Sequence, residues 1–576
     1  MVNKENLIIR LTILLFLVGL MAPATVTARI IYVDDDSTGA NDGSSWVDAY
    51  NYLQDALADA NSAEKPVEVK VAQGVYKPDQ GANQMPGDRE STFQLLSGIT
   101  LTGGYAGLGV LDVNGVAIDP NTRHIDVFET ILSGDLNGDD GEVSEPGNLA
   151  TDPNRAENCY HVVTGSGTDP NAVLDGFVIT AGMANGERLA QQDGGGLYND
   201  GGSPTLRNCR FLRNVANDGG AVRNGHACPV FINCIFMRNE AAPIEAAPVT
   251  EASFGGGVYS TGLSNPVFVN CAFLGNRAGY GGAINAWDQS SPELYNCTLS
   301  GNMADFGGAL YNYGVISEGI TTITNSILWD NQAATNYDEI CTGGKSTTIV
   351  SYTCIEGDHP GTGNIGADPR FVSGPLGDYY LSQRSAGQTR NSPCVDAGSD
   401  TASNLGLDQL TTRTDEVGDQ GIVDMGYHYP KSPPRDLTID RNTEDFETGD
   451  FSRFNWTFSG DADWTITSAK KYSGDYSAQA GSIGDDEYTT LEITLDCVSG
   501  DISFYRKVSS ESGYDYLKFY IDDEEKGKWS GQQDWMQVSF SVTAGTRVFT
   551  WTYSKDSSVS EGSDSAWLDD IVFPIH

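Results

Sequence analysis

Asn270-Cys271-Ala272-Phe273-Leu274-Gly275-Asn276-Arg277-Ala278-Gly279-Tyr280-Gly281-Gly282-Ala283-Ile284-Asn285 is the fullest copy of a pattern written five times between Gly194 and Asn331. The same order of residues opens at Asn208-Cys209, Asn233-Cys234 and Asn296-Cys297, and at Asn325-Ser326, where serine replaces cysteine. Phe211, Phe236, Leu299 and Leu328 take the place of Phe273, and Asn214, Asn239, Asn302 and Asn331 that of Asn276. A Gly-Gly-aliphatic element accompanies each copy, at Gly195, Gly219, Gly256, Gly281 and Gly307.

Self-similarity at a fixed period decides an architecture before local propensity does. Cys209 and Cys234 are 25 residues apart, and Cys271 and Cys297 are 26 apart. The 37-residue step from Cys234 to Cys271 places an insertion at Glu240 to Ser253. Cysteine and aromatic are two apart, so both face one side of a strand. The asparagine three beyond falls where that strand ends and its amide can bond neighbouring backbone. Paired glycines then permit a bend that needs positive φ or close packing. The pattern predicts one turn of a right-handed parallel β-helix, with equivalent residues stacked about 4.8 Å apart along the axis. Cys209, Cys234, Cys271 and Cys297 should form an interior thiol column, the aromatics a second column, and Asn214, Asn239, Asn276 and Asn302 a polar ladder at the turn.

The Gly-Gly-[Ala/Leu/Val] and Phe-x-x-Asn pair resembles the repeats of chlamydial polymorphic outer membrane proteins. It also resembles the wider set of bacterial secreted β-helix proteins with a pectin-lyase-like fold. With its flanking segments the likeness extends to about residue 430. It implies a fold and says little about activity, which has to be argued from a site.

The 576 residues include 67 glycines, 78 acidic and 34 basic side chains, for a formal charge of −44. Such a surface is a poor partner for nucleic acid, whose phosphates require a basic patch. Residues 1–28 read as a secretory signal: Lys4 and Arg10, the apolar run Leu11 to Ala22, and Val26-Thr27-Ala28 at the cleavage position. That run is too short to span a bilayer, and no later segment is apolar enough to cross as a helix. Export usually brings disulfides, yet side chains stacked in register on parallel strands rarely meet disulfide geometry. The four repeat cysteines are therefore expected as buried thiols. Cys159, Cys228, Cys341, Cys354, Cys394 and Cys497 are left open.

From Arg29 a first strand leads to Trp46, Tyr50, Leu53, Leu57 and Ala60 at helical spacing, with Ser44 and Ser45 ahead of them as N-cap candidates. This segment is expected as a helix capping the open end of the coil, whose edge would otherwise invite pairing. Alternating runs at Val67 to Ala72, Phe93 to Tyr105, Ile131 to Gly134, His161 to Val163 and Val173 to Ala181 continue the coil. Asp135-Leu136-Asn137-Gly138-Asp139-Asp140-Gly141-Glu142 offers the alternating oxygens that a Ca²⁺ ion takes, with Asp135, Asn137 and Asp139 as ligands. The match to a calcium loop is imperfect, because glycine falls one position late and Gly147 stands where an acid is wanted. Asp368-Pro369, Gly377 to Leu381, Ser392 to Gly398 and Val423 to Tyr427 resemble the closing segment of bacterial β-helix proteins, with Asp396 and Asp424 expected to fix turns. Residues 29–430 thus form the β-helix, and Pro-rich 431–443 a stiff linker. Residues 444–576 read as an antiparallel β-sandwich, from alternation at Leu491 to Leu495, Ile502 to Tyr505, Leu517 to Ile521, Trp535 to Val542 and Arg547 to Tyr553. Its opening Asp445-Phe446-Glu447 and its ending Trp567-Leu568-Asp569-Asp570-Ile571 resemble jelly-roll modules of the MAM or carbohydrate-binding type.

Two functional classes follow. A polysaccharide lyase needs Ca²⁺ carboxylates and a basic residue; a hydrolase needs close carboxylates as acid and base. No Asp pair recurs at corresponding positions of adjacent coils. Gly484-Asp485-Asp486 lies in the sandwich; Arg223 and His226 stand near each other on one coil, and Arg213 and Arg238 share a register outside the strand, as surface residues commonly do. No catalytic residue is therefore assigned. Binding of polysaccharide or cell-surface components is the better-supported class, because stacked coils offer a long flat face. The sandwich adds Trp464, Trp529, Trp535, Trp551 and Trp567 for stacking on sugars. Trp551 and Trp567 sit in strand-like runs, which leaves Trp529, beside Lys528 and Ser530, as the best exposed candidate.

Overall fold

The computed structural model describes residues 28–112, 116–140, 149–243, 252–334, 338–357, 359–433, 442–447, 449–451, 453–474, 476–559 and 561–575. The signal-like segment up to residue 27, most of the insertion, the end of the acidic loop and most of the Pro-rich stretch lie outside them. The chain divides into two compact units, Met1–Thr438 and Ile439–His576.

The first unit is a parallel β-helix. One coil shows how its sequence winds. Leu197–Asp200, Thr205–Arg207 and Arg210–Leu212 are three short strands, and each pairs in parallel with its equivalent one coil on: Val222–Gly225, Val230–Ile232 and Ile235–Met237. Repetition builds sheets of ten, nine and eight strands, called here the first, second and third sheets. Thr205–Arg207 lies in the first, Arg210–Leu212 in the second and Leu197–Asp200 in the third.

Each corner has a side-chain cause. Between the first and second sheets, Asn208, Asn233, Asn270, Asn296 and Asn325 all adopt φ between 51° and 54°. Asparagine tolerates this left-handed conformation better than other non-glycine residues, which explains its place before every Cys or Ser of the repeat. After the second sheet the chain turns at Asn214, Asn239, Asn276, Asn302 and Asn331. Each amide nitrogen donates to the carboxamide oxygen of the next: Asn214 to Asn239 at 3.1 Å, Asn239 to Asn276 at 2.9 Å, Asn276 to Asn302 at 2.9 Å and Asn302 to Asn331 at 2.7 Å. The same nitrogens reach carbonyls one coil back, as Asn276 does to Phe236 O at 2.8 Å. The same oxygens accept backbone N–H groups, as Asn276 Oδ1 does from Asn239 N at 3.0 Å. The last amide, Asn331 Nδ2, donates to Glu339 Oε2 at 2.8 Å. Before the third sheet the first glycine of each pair region is left-handed, for example Gly281 at 72°, and the next cannot carry a Cβ: one on Gly282 would sit 2.5 Å from Gly308 O.

Inside, Phe211, Phe236 and Phe273 stack with centroids 5.1 and 4.6 Å apart, and Phe231 stacks on Phe268 at 5.0 Å. Cys209, Cys234, Cys271 and Cys297 are fully buried and unpaired. Their thiols donate to carbonyls of the preceding coil, Cys271 Sγ to Phe231 O at 3.5 Å among them. Ser326 keeps this column with a hydroxyl that donates to Thr324 O at 3.0 Å. The repeat cysteines thus remain thiols, and Cys228 alone of the ten cysteines is exposed.

At the N-terminal end the helix runs from Leu53 to Ser62 and buries Leu53, Ala56, Leu57 and Ala60. It starts later than the spacing suggests, and neither Ser44 nor Ser45 caps it. Trp46 is held instead between Tyr32 and Tyr105, at 4.9 and 5.7 Å, and Tyr50 bridges to Val33, so both belong to the turn ahead of the helix. At the other end the closing segment crosses the coils. Gly426 N donates to Asn325 O at 2.8 Å, Tyr427 N to Thr298 Oγ1 at 2.9 Å and His428 N to Asn270 Oδ1 at 2.7 Å. Asp424 anchors it: Asp396 N and Gln383 Nε2 donate to its carboxylate at 2.7 and 3.0 Å, and burial raises it to about 6.

The second unit is an antiparallel sandwich. Thr457–Gly460, Tyr488–Cys497, Gly545–Ser554, Tyr516–Ile521 and Glu524–Trp529 form one sheet in that spatial order. Thr465–Thr467, Ser477–Gln479, Ser565–Val572, Gly500–Ser509 and Gln532–Val542 run across the other. Phe504, Phe519, Phe549 and Trp551 are buried between them.

Two outcomes follow. Asn276→Ala leaves the Asn239 N–H, the Asn239 amide and the Phe236 carbonyl without their partner, each worth about 1–3 kcal/mol when buried. Urea unfolding should show a loss of about 3 kcal/mol or more, whereas Cys271→Ser should cost under about 1.5 kcal/mol, as Ser326 already fills that column; equal costs would contradict the ladder. Burial pushes Glu339 up to about 8 from an ordinary 4.5. Its folded pKa is raised, so its contribution is complete below about pH 4.5 and is lost as pH rises through about 8. Glu339→Gln should flatten the fall in stability between those limits, measured by urea unfolding at pH 5 and 8.5 against wild type.

Candidate functional site

The third sheet carries the most unusual surface. In its strands the first and third residues point inward: Asn199, Asn224, Ser260, Ala286 and Asn312 are buried in one column. The second and fourth point outward. Register places Tyr198, Arg223, Tyr259, Asn285 and Tyr311 in one outer row and Trp287 beside Tyr313 in another. A third row lies just before the glycines. Asp193, Asp218, Phe254, Tyr280 and Phe306 are joined rung to rung by isolated parallel bridges, so one Asp pair, Asp193 and Asp218, does stand at corresponding positions of adjacent coils, against the expectation from sequence.

These rows merge into one aromatic field over the coils that begin at Phe254, Tyr280 and Phe306. Tyr280 stacks on Phe306 at 5.1 Å with 8° between planes, and Phe254 lies 5.3 Å from both Tyr280 and Trp287. Trp287 stacks on Tyr313 at 5.6 Å, and Tyr313 on Tyr311 at 5.7 Å. Phe254, Tyr259, Tyr280, Trp287, Phe306 and Tyr313 are all half-buried. Coil geometry causes this: equivalent residues are a strand spacing apart, so aromatic choices at one register position become a stack. Toward the N-terminus the same rows turn polar. Arg223 lies over the Tyr198 ring at 4.9 Å and contacts Asp200 at 3.2 Å and Asp193 at 3.7 Å. Burial raises Asp193 to about 6, against the pull of Arg223.

In the sandwich Trp464, Trp551 and Trp567 are core residues, at most 2% exposed. Trp529 is half-buried: its indole meets Phe504 edge-on at 6.2 Å and lies under the Arg506 guanidinium at 5.1 Å. A different aromatic group lies on the outer side of the other sheet. Tyr472 stacks on Tyr505 at 3.5 Å, and Trp535 stands 6.2 Å from Tyr472. Tyr472 is 45% exposed. Asp569, fully buried, holds its loop by accepting the N–H groups of Tyr472 at 2.7 Å and Ser473 at 3.2 Å. Burial raises Asp569 to about 7, offset by those same bonds.

The acidic loop is only partly described. Asp135 Oδ1 accepts Gly138 N at 2.5 Å and Asp139 N at 3.2 Å, and Oδ2 accepts Asp140 N at 3.2 Å, so this carboxylate organises its own turn. Asp135 and Asp139 do come together with a residue that sequence reading missed, Glu157, one oxygen of each lying within 4.8 Å of the others. Asn137 is exposed, and Asp140 is taken by Arg155 at 2.8 Å. A cavity of about 560 Å³ lies elsewhere on the β-helix, lined by Arg123, His124, Asp126, Arg210, Tyr427 and Lys431 among others. Arg123 is paired with Asp175 at 2.9 Å and Arg210 with Glu129. Among the described residues Asp126 is the one carboxylate in that lining, where hydrolytic acid and base chemistry asks for two. His226 is exposed, 3.8 Å from Asp200. Among the described residues no helix is long and apolar enough to cross a membrane.

No family model and no curated protein matches the chain. Partial likenesses to solved structures exist. TmCBM61 in complex with β-1,4-galactotriose is 20% identical, over 22% of this chain and 92% of that one, with a TM-score of 0.18. The K1 cleaved adhesin domain of Lys-gingipain from Porphyromonas gingivalis W83 is 15% identical, over 23% and 97%, with a TM-score of 0.19. The CBM22-1 xylan-binding domain of Paenibacillus barcinonensis Xyn10C is 18% identical, over 24% and 95%, with a TM-score of 0.18.

Proposed function

We propose that this is an exported glycan-binding or adhesion protein, acting at the cell surface or outside it. What supports this reading above all is the aromatic field of the third sheet. Phe254, Tyr280, Phe306, Trp287 and Tyr313 present ring after ring along the coil axis, as a chain of sugars with apolar faces would require. The carboxylates and guanidinium of Asp193, Asp200 and Arg223 extend the same face and supply hydrogen bonds to hydroxyl groups. Tyr472, Tyr505 and Trp535 form a second, smaller platform on the sandwich. Two sites on one chain raise avidity for a polymer without any new contact. Export rests on the signal-like residues 1–28, and a Ca²⁺ ion between Asp135, Asp139 and Glu157 belongs to the same proposal.

Affinity electrophoresis of the purified chain through gels containing soluble neutral or acidic polysaccharides tests the reading. Retardation is expected with at least one of them. Trp287→Ala and Trp535→Ala should each weaken binding roughly tenfold, about 1.4 kcal/mol. Trp529→Ala should act on stability instead, since its ring is committed to Phe504 and Arg506. Free migration of the wild-type chain through every gel sinks the proposal. Release of reducing or unsaturated ends would transfer support to the lyase or hydrolase alternative.

A further inference from the structure

The second unit holds an acidic cluster separate from both aromatic platforms. Glu511 and Asp515 lie in the turn between Gly500–Ser509 and Tyr516–Ile521, and Asp556 follows Gly545–Ser554. One oxygen from each of the three carboxylates lies within 4.8 Å of the others. Proximity alone would mean little on so acidic a protein. The distinguishing fact is Asp515: its side chain is fully buried, and Oδ2 has no hydrogen-bond partner. Its other oxygen, Oδ1, accepts Asp556 N at 3.0 Å. Glu511 Oε2 is likewise shielded from solvent and without a partner. A buried carboxylate oxygen with nothing bound to it costs the full loss of its hydration.

The Lys555 charge answers that deficit only in part, pulling Asp515 down by less than burial raises it. Lys555 Nζ sits 2.5 Å from Asp564 and 3.3 Å from Asp485, so its charge is shared between two other carboxylates. Burial raises both Asp515 and Glu511, with neighbouring carboxylates adding to the shift for each. A group that is costly without a counter-charge, built only of hard oxygens, matches the preference of Ca²⁺. That ion takes oxygen ligands at about 2.3–2.6 Å, so two oxygens sharing it lie no more than about 5 Å apart. The smaller Mg²⁺ demands near-ideal octahedral geometry and dehydrates reluctantly, which favours the larger ion here.

We infer that Glu511, Asp515 and Asp556 form a Ca²⁺ site that ties the 510–515 turn to the end of the Gly545–Ser554 strand. Bound there, the ion neutralises the only fully buried member of the cluster and joins two loops from adjacent strands of one sheet. Without it, the buried Asp515 Oδ2 keeps no hydrogen-bond partner, and the Lys555 charge offsets its burial only in part.

The test uses the full chain, stripped with a chelator and titrated with CaCl₂ by calorimetry, alongside Glu511→Gln, Asp515→Asn and Asp139→Asn. Wild type should bind Ca²⁺ with Kd on the order of 10⁻⁴ M, as extracellular modules do. Glu511→Gln and Asp515→Asn should each bind one equivalent fewer. Asp139→Asn, in the other acidic loop, should leave that equivalent in place. Unfolding adds a sign that packing damage alone cannot mimic: Asp515→Asn should be more stable than wild type in chelator and less stable in 5 mM CaCl₂ (~50 times the expected Kd). If Asp515→Asn does not fold, the half-exposed Glu511→Gln decides by stoichiometry. Equal Ca²⁺ uptake by wild type and the folded variants, or no uptake by wild type, overturns the assignment.

Discussion

The asparagine ladder is the constraint from which the β-helix follows. Asn214, Asn239, Asn276, Asn302 and Asn331 are each bonded to the next by their amides, so every coil must stop its second-sheet strand at the same height. A one-residue slip in any coil would break two side-chain bonds and turn that strand's Phe outward. The ladder therefore fixes register as well as adding stability. It is buried throughout, where each amide bond is stronger and each unmade one costlier than in water. Its ends are closed differently. Gly182 N donates to Asn214 Oδ1 at 3.0 Å at one end, and Glu339 accepts the last amide at the other.

Once register is fixed, chemistry at a position becomes chemistry along a line. Inside, phenylalanines stack 4.6–5.1 Å apart. Outside, Phe254, Tyr280 and Phe306 repeat at 5.1–5.3 Å for the same reason. The Gly-Gly corner places that outer row: a residue just before a left-handed glycine is the last one before the chain bends into the third sheet. The corner asparagines at Asn208, Asn233 and Asn270 form a second ladder, with bonds of 3.1 and 2.9 Å. The closing segment uses it. His428 binds the free side of Asn270, and the Asp424 carbonyl takes the amide of Asn296 at 3.2 Å. The segment therefore enters where the repeat leaves amide groups to be satisfied.

The period, the cysteine and phenylalanine columns and the ladder were legible in the sequence because each position is nearly invariant among the copies within this one chain. The inner column of the third sheet was not, because it reads Asn199, Asn224, Ser260, Ala286, Asn312: small or amide-bearing, but no single residue type. The outer aromatic rows escaped for a related reason. Asp193 and Asp218 occupy the positions later held by Phe254, Tyr280 and Phe306, so half of the row hides the other half. The signal was there in the residue before each glycine pair. Trp46 and Tyr50 kept a helical spacing while belonging to a turn, since packing against Tyr32 and Tyr105 overrode periodicity. Among the sandwich tryptophans, neighbours such as Lys528 and Ser530 favoured Trp529. Exposure is set by the facing sheet, however, and Phe504 lies there. Glu511, Asp515 and Asp556 are 45 residues apart at the extremes and meet only through strand pairing.

Charge links these features. A chain of net charge −44 would be expected to keep its carboxylates in water. Several are buried instead, at places where backbone must be held. Asp424 pins the closing segment, Asp569 the Tyr472 loop, and Glu339 the end of the ladder. Burial pushes the three to about 6, 7 and 8. Each accepts N–H or O–H groups, so its oxygens terminate a network that a neutral amide would have continued. The ladder thus uses asparagine where another ladder asparagine follows and an acid, Glu339, where none does. An amide both donates and accepts, and can propagate a chain of bonds; Glu339 ends it by accepting Asn331 N on one oxygen and Asn331 Nδ2 on the other.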